Sequence, residues 1–225
     1  MNALETLDRL HERVEDGFSL KDYLTQRERI SRGLHISLPL SHLHIDLRGI
    51  DLRGAELPYA DLEEAVLDGA NLSRANLMGA VLSHAKVKRA NLRGANLSFA
   101  RMLRANFTMS DLRGANMQHA TGHYSEFVEA DLGFADLREV DMTSAIFKNA
   151  DLLGAKLQNS ILMYTDFEKA SLVQAVFDDA NMYGVNLDGI HLSERTSFER
   201  AATQMRGYAT TPRGWVVNRG HFERA

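Results

Sequence analysis

Between residues 45 and 193 the chain repeats one five-residue unit: a small residue, usually Asp or Asn, a large apolar residue, then two mostly polar residues, as in ADLEEAVLDGANLSRANLMGA. Thirty consecutive units fit without a slip. The large apolar position, called the centre here, runs from Leu47 to Leu192 and holds 19 Leu, 5 Phe, 4 Met, Val87 and Gly122. The position two earlier is Ala in 21 units and small or β-branched in the other nine.

A period of five fits neither regular structure. On an α-helix each step turns about 140°, which scatters the centres around the whole circumference, and on a strand odd steps alternate faces. Within one unit, however, the small residue and the centre are two apart, so an extended segment points both side chains the same way. The two residues after the centre must then turn the chain. Nine of the sixteen glycines occupy the second of those places, where positive φ is expected. The pattern predicts a coil of short straight sides and corners whose axis is filled by the small residues and the centres.

The flanks read differently. Leu4, Leu7, Leu10 and Val14, then Leu20, Tyr23, Leu24 and Ile30 after a restart at Ser19, have helical spacing interrupted by Gly17, so residues 2–32 predict two short helices. After Leu192 the stretch Ser193 to Met205 reads as another helix capped by Ser193 or Thr196, and Thr210 to Ala225 as an extended or irregular tail with Trp215, Val216 and Val217 against the last coil. The expected organisation is a helical cap over 1–44, the repeat over 45–193, and a C-terminal helix and tail over 194–225.

These thirty units resemble the pentapeptide-repeat family over about two thirds of the chain. The resemblance implies an all-β solenoid, a right-handed quadrilateral β-helix with four units per turn, about 7.5 turns here, and short α-helical caps at each end. Residues twenty apart then stack in columns. Sorted that way, one column of centres reads Leu47, Leu67, Val87, Phe107, Phe127, Phe147, Phe167, Leu187, a single stack holding four of the five Phe, and another is Leu throughout, from Leu52 to Leu192. Gly122 is the one centre without a side chain, and Met102 and Met142 stand on either side of it in its column, flexible enough to fold over the gap.

Composition narrows the function. The 225 residues are 44% hydrophobic and 25% charged, with no apolar run near the ~18 that a membrane helix needs and no signal-like start, which points to a cytoplasmic chain with no membrane contact. Zero cysteines exclude thiolate chemistry. No phosphate loop, nucleophile elbow or zinc-protease helix occurs, and Asp and Asn recur as structural corner residues, so no catalytic, cofactor-binding or metal site is expected; His119 and His123 are four apart but not on a helix. A protein that binds without catalysing is expected.

Among binding functions, some members of the family imitate DNA and occupy DNA gyrase, protecting it from inhibitors. Residues 46–192 carry twenty acids and fourteen bases, but in bands. Residues 46–68 sum to −5 and 111–192 to −8, while 69–110 hold Arg74, Lys86, Lys88, Arg89, Arg93, Arg101 and Arg104 and no acid. A mimic of duplex DNA needs about one negative charge per 1.7 Å, so this belt weighs against mimicry. The basic residues partly encircle the rod, which favours a solvated surface paired with neighbouring acids over direct nucleic-acid binding. The leading expectation is a protein-interaction scaffold, with gyrase mimicry and a bacterial effector or regulator as alternatives. On the face whose centres include Gly122, the outward positions include Leu103, Arg104, His123, Tyr124, Met163, Tyr164 and Tyr183, the composition of an interface core, to be met by a protein partner, a second copy or the chain's own termini.

Overall fold

The computed structural model describes residues 46–193, 195–201, 215–218 and 221–224. The helices expected over 2–32 lie outside the described residues. From Asp46 onward the residue before each centre bridges in parallel to the residue twenty further on, from Asp46 with Val66 to Ser171 with His191. Four units therefore make one coil, and the chain is a parallel β-helix with four sides. The faces are numbered by their first centres: Leu47, Leu52, Leu57 and Leu62.

Nearly every unit makes the same bonds. The centre amide donates to the pre-centre carbonyl one coil on (Leu72 N to Asn91 O, 2.7 Å), and the centre carbonyl closes a tight turn by accepting from the next small residue (Ala75 N to Leu72 O, 3.0 Å). The third residue of that turn has φ between 53° and 68° wherever it is described, whether Gly, as at Gly79, or a bulky residue such as Tyr124 or Phe134. The ladder holds even residues that pay the left-handed cost, on the order of 1 kcal/mol each.

The corner also explains the recurring Asp and Asn. In seventeen units the pre-centre Oδ1, belonging to Asp in nine and to Asn in eight, accepts from the backbone amide two residues on, all at 3.0–3.3 Å. Acid and amide do the same backbone work, because only the shared oxygen is used.

Inside, Phe107, Phe127, Phe147 and Phe167 are fully buried and stack with centroids 5.0, 4.7 and 5.1 Å apart. Where a small position is Ser, its buried hydroxyl donates to its own turn's centre carbonyl, as Ser110 Oγ does to Phe107 O at 2.7 Å. At Gly122 a Cβ would meet Met142 Sδ at 2.6 Å and Ser125 Oγ at 2.9 Å. Met142 thus occupies the gap, as expected, whereas Met102 is not among the nearest atoms.

The helix expected from Ser193 is not formed over 195–201. The coil absorbs one extra residue at the corner after Leu192 and continues: Ser197 bridges to Val176, Phe198 is a buried centre stacked on Phe177 at 4.9 Å, and Thr196 and Ala201 fill small positions. Thr196 Oγ1 anchors the shifted segment on Leu172 O at 2.8 Å. Burying Phe198 against an existing stack outweighs a short exposed helix whose propensity alone is marginal. Residues 202–205 of that expectation lie outside the described residues. In the tail, β1 (Trp215–Asn218) pairs antiparallel with β2 (His221–Arg224), Trp215 opposite Arg224.

Candidate functional site

The fourth face gathers the exposed apolar groups. Of the eight large hydrophobic side chains exposed among the described residues, Leu103, Tyr124, Ile161 and Tyr164 lie here, Tyr59 and Phe99 on the third face, and Met109 and Phe134 on the first and second. Tyr124 and Tyr164 are 55% and 54% exposed, held outward by the positive-φ corner that each occupies. Arg104 sets its guanidinium carbon 5.8 Å from the Tyr124 ring, the outer limit of a cation–π contact.

Toward the other end Tyr164 meets Tyr183 edge-on at 5.2 Å and covers Gly184, where a Cβ would lie 2.6 Å from the ring. Partial desolvation and the Tyr183 hydroxyl push the Tyr164 phenol up. His123 is half-buried between these groups with Nε2 2.9 Å from Asp141 Oδ2. Met163 is half-buried too, and Thr143 and Ser144 separate the Arg104–Tyr124 contact from the Tyr164–Tyr183 pair. The expected residues therefore share a face but form two clusters. Ile161, 40% exposed, is not among the expected residues because it precedes its centre whereas they all follow theirs; its signal is an Ile where most units carry Asp or Asn.

Ion pairing corrects the expectation for the basic belt. Arg48, Arg53, Arg113, Arg138, Lys148, Lys169 and Arg200 all pair with carboxylates of their own or a neighbouring coil. Among the described residues none of the seven belt cations forms an ion pair. The acids lie on the flanking coils, where many pair with the bases of those coils.

One pair has a measurable pH signature. Arg138 donates twice to Asp136, which also accepts from Gln118 Nε2 at 2.7 Å, and these bonds hold the Asp136 carboxyl down to about 2. A depressed carboxyl adds stability that is present above its unfolded value near 4 and is lost as pH falls through about 2. With Arg138 partly exposed we expect roughly 1–2 kcal/mol. Urea unfolding of Asp136→Asn should show that deficit at pH 7 and little of it at pH 2; a deficit unchanged with pH would refute the assignment.

Coils of four five-residue units with a filled axis define a class of protein, the parallel β-solenoid. The chain belongs to the pentapeptide-repeat family, whose model matches in eight copies over residues 45–83, 90–121, 125–163 and 162–194. No curated protein sequence matches it significantly. Similar solved structures include HetL from the cyanobacterium Nostoc sp. strain PCC 7120, a pentapeptide repeat protein involved in heterocyst differentiation regulation, at 25% identity over 81% of this chain and 97% of that one, TM-score 0.29. Rfr23 from the cyanobacterium Cyanothece 51142 is 20% identical over 77% of this chain and 97% of its own, TM-score 0.33. QnrB1, a plasmid-mediated fluoroquinolone resistance protein, is 14% identical over 66% and 92%, TM-score 0.28. Among the described residues no group of three or more His, Asp or Glu is placed to hold a metal ion.

Proposed function

We propose that this protein acts by binding, as a rigid non-catalytic scaffold whose fourth face docks a protein partner. The observation that carries this reading is the concentration there of four of the eight exposed large apolar side chains, with Tyr183 and Met163 beside them. Rigid aromatic groups give contact area at small entropic cost and dominate interface energetics. Arg101 and Arg104, at one end of the patch and without ion pairs, suit a partner that brings carboxylates to that end of an apolar surface. The charge arrangement supports docking over imitation of DNA, because an unpaired positive belt interrupts the acids and many of those acids are already bonded to the rod's own bases.

Tyr124→Glu/Tyr164→Glu should weaken partner recovery at least tenfold while leaving the fold intact, and Tyr59→Glu/Phe134→Glu on other faces should not. Recovery unaffected by the first pair would refute the docking face. A change in sedimenting mass instead would assign the face to a second copy.

A further inference from the structure

The unpaired belt contains a cleft on the second face. It is open, about 610 Å³ in volume, and lies between Arg74 and Arg93 on successive coils, with Asn71, Asn91 and Ser73 along its sides. Its floor is low because Gly94 presents only backbone: a Cβ built there would meet nothing nearer than Arg74 Cγ at 3.8 Å. The outer rims are Arg53 and Arg113.

Charge balance singles out the centre of this cleft. Arg53 is committed to Asp51 at 3.7 Å, and Arg113 to Asp111 and, at 3.3 Å, Asp131. Arg113 holds the Asp111 carboxyl below its ordinary range, a pull to which Arg93 adds through space without forming an ion pair. Arg74 and Arg93 are therefore the two arginines of this cavity that no carboxylate pairs with directly. Asn71 and Asn91 use their Oδ1 atoms on the backbone amides of Ser73 and Arg93, at 3.2 and 3.1 Å, which leaves their amide NH₂ groups as donors.

The fold does not require this arrangement. The second-face column before the centres reads Asp51, Asn71, Asn91, Asp111, Asp131, Asp151, Ser171, His191, and its acids and amides make the same corner bond. In this column amides stand only where the cleft lies, and Asn91 holds the place, two residues before an arginine, from which Asp51 and Asp111 pair with Arg53 and Arg113. Backbone geometry is indifferent to that choice, so the two amides leave the cleft without carboxylates at no cost to the corner.

We propose that this cleft binds a phosphate group, as the free ion or as a small-molecule phosphate monoester. Two guanidinium forks and two amide donors match a tetrahedral dianion with several acceptor oxygens better than a single carboxylate with two, and a charge of about −2 balances the two free arginines. Arginine stays protonated throughout, so only the ligand titrates: binding should strengthen as pH rises through about 6, where a monoester gains its second charge.

The test uses the full chain, with inorganic phosphate and glycerol phosphate titrated separately at constant ionic strength and followed through arginine Nε resonances and calorimetry. Saturable binding centred on Arg74 and Arg93 is expected, and which titrant saturates at lower concentration identifies the source. Arg74→Gln/Arg93→Gln should weaken binding about tenfold or more. Asn71→Asp/Asn91→Asp should do the same with an unchanged melting temperature, because the corner bond survives; this variant keeps the test informative if the arginine variant fails to fold. Lys86→Gln/Lys88→Gln on the adjacent face should leave affinity unchanged. Linear, unsaturable shifts, an equal loss in the lysine variant, or binding of a single-stranded oligonucleotide without any response to either phosphate would overturn the proposal. Loss of phosphate binding with partner recovery on the fourth face intact, or the reverse, distinguishes this site from the docking face.

Discussion

Phe127→Ala is expected to destabilise the solenoid by about 3–5 kcal/mol. The ring is fully buried at the middle of the first-face stack, with neighbours at 5.0 Å on the Phe107 side and 4.7 Å on the Phe147 side, nearly parallel to both. Truncation removes two ring contacts and opens a cavity that cannot collapse, because each coil is held at a fixed spacing by backbone bonds on both edges. Phe127→Leu restores the commonest centre and should cost about 1 kcal/mol. Urea unfolding followed by circular dichroism measures both. A lower slope against urea in the alanine variant would show that the coils on either side of the break unfold separately, as expected of a quasi-one-dimensional stack. A cost under about 1 kcal/mol for alanine would refute this account of the axis.

The second large effect runs against the repeat pattern. Gly122→Leu installs the residue found at 19 of the centres, yet it should destabilise by about 1–3 kcal/mol, since the Met142 sulfur already fills the space. Met142→Ala alone should cost about 2–5 kcal/mol by leaving that space empty. The double variant should recover part of both losses. Thermal and urea unfolding of the four-member cycle gives the coupling, expected at 0.5–3 kcal/mol in magnitude. Additive losses would mean that the two side chains do not share the volume.

The register and the filled axis were legible because they follow from one constraint repeated thirty times: a small residue and a large one must both reach the axis within each straight side; the four-unit coil came from the family resemblance, and only with it did the Phe fall into one stack. The Gly122 gap was legible for the same reason, but of the two Met residues expected to fill it only Met142 does. The segment after Leu192 was misread because one inserted residue put Phe198 out of phase, and a short stretch starting at a capping Ser then resembled a helix; Thr-Ser-Phe-Glu-Arg-Ala still carries the unit's own pattern one place later. The candidate interface was only half legible. Sequence columns placed Tyr124, Tyr164 and Tyr183 on one face, but the separation into two clusters and the exposure of Ile161 depend on how side chains lean across coils. Ion pairing was the least legible, because whether a cation meets a carboxylate depends on its neighbours one coil above and below, not on net charge in a window.

The equivalence of acid and amide at the corners has a consequence for how such a protein changes over generations. A single substitution there rewrites one patch of electrostatic potential while the core, the turn and the backbone ladder stay as they were. Surface charge can therefore drift or be selected coil by coil without crossing a valley of unfolded intermediates. Two proteins with nearly superimposable axes can then differ entirely in what they attract.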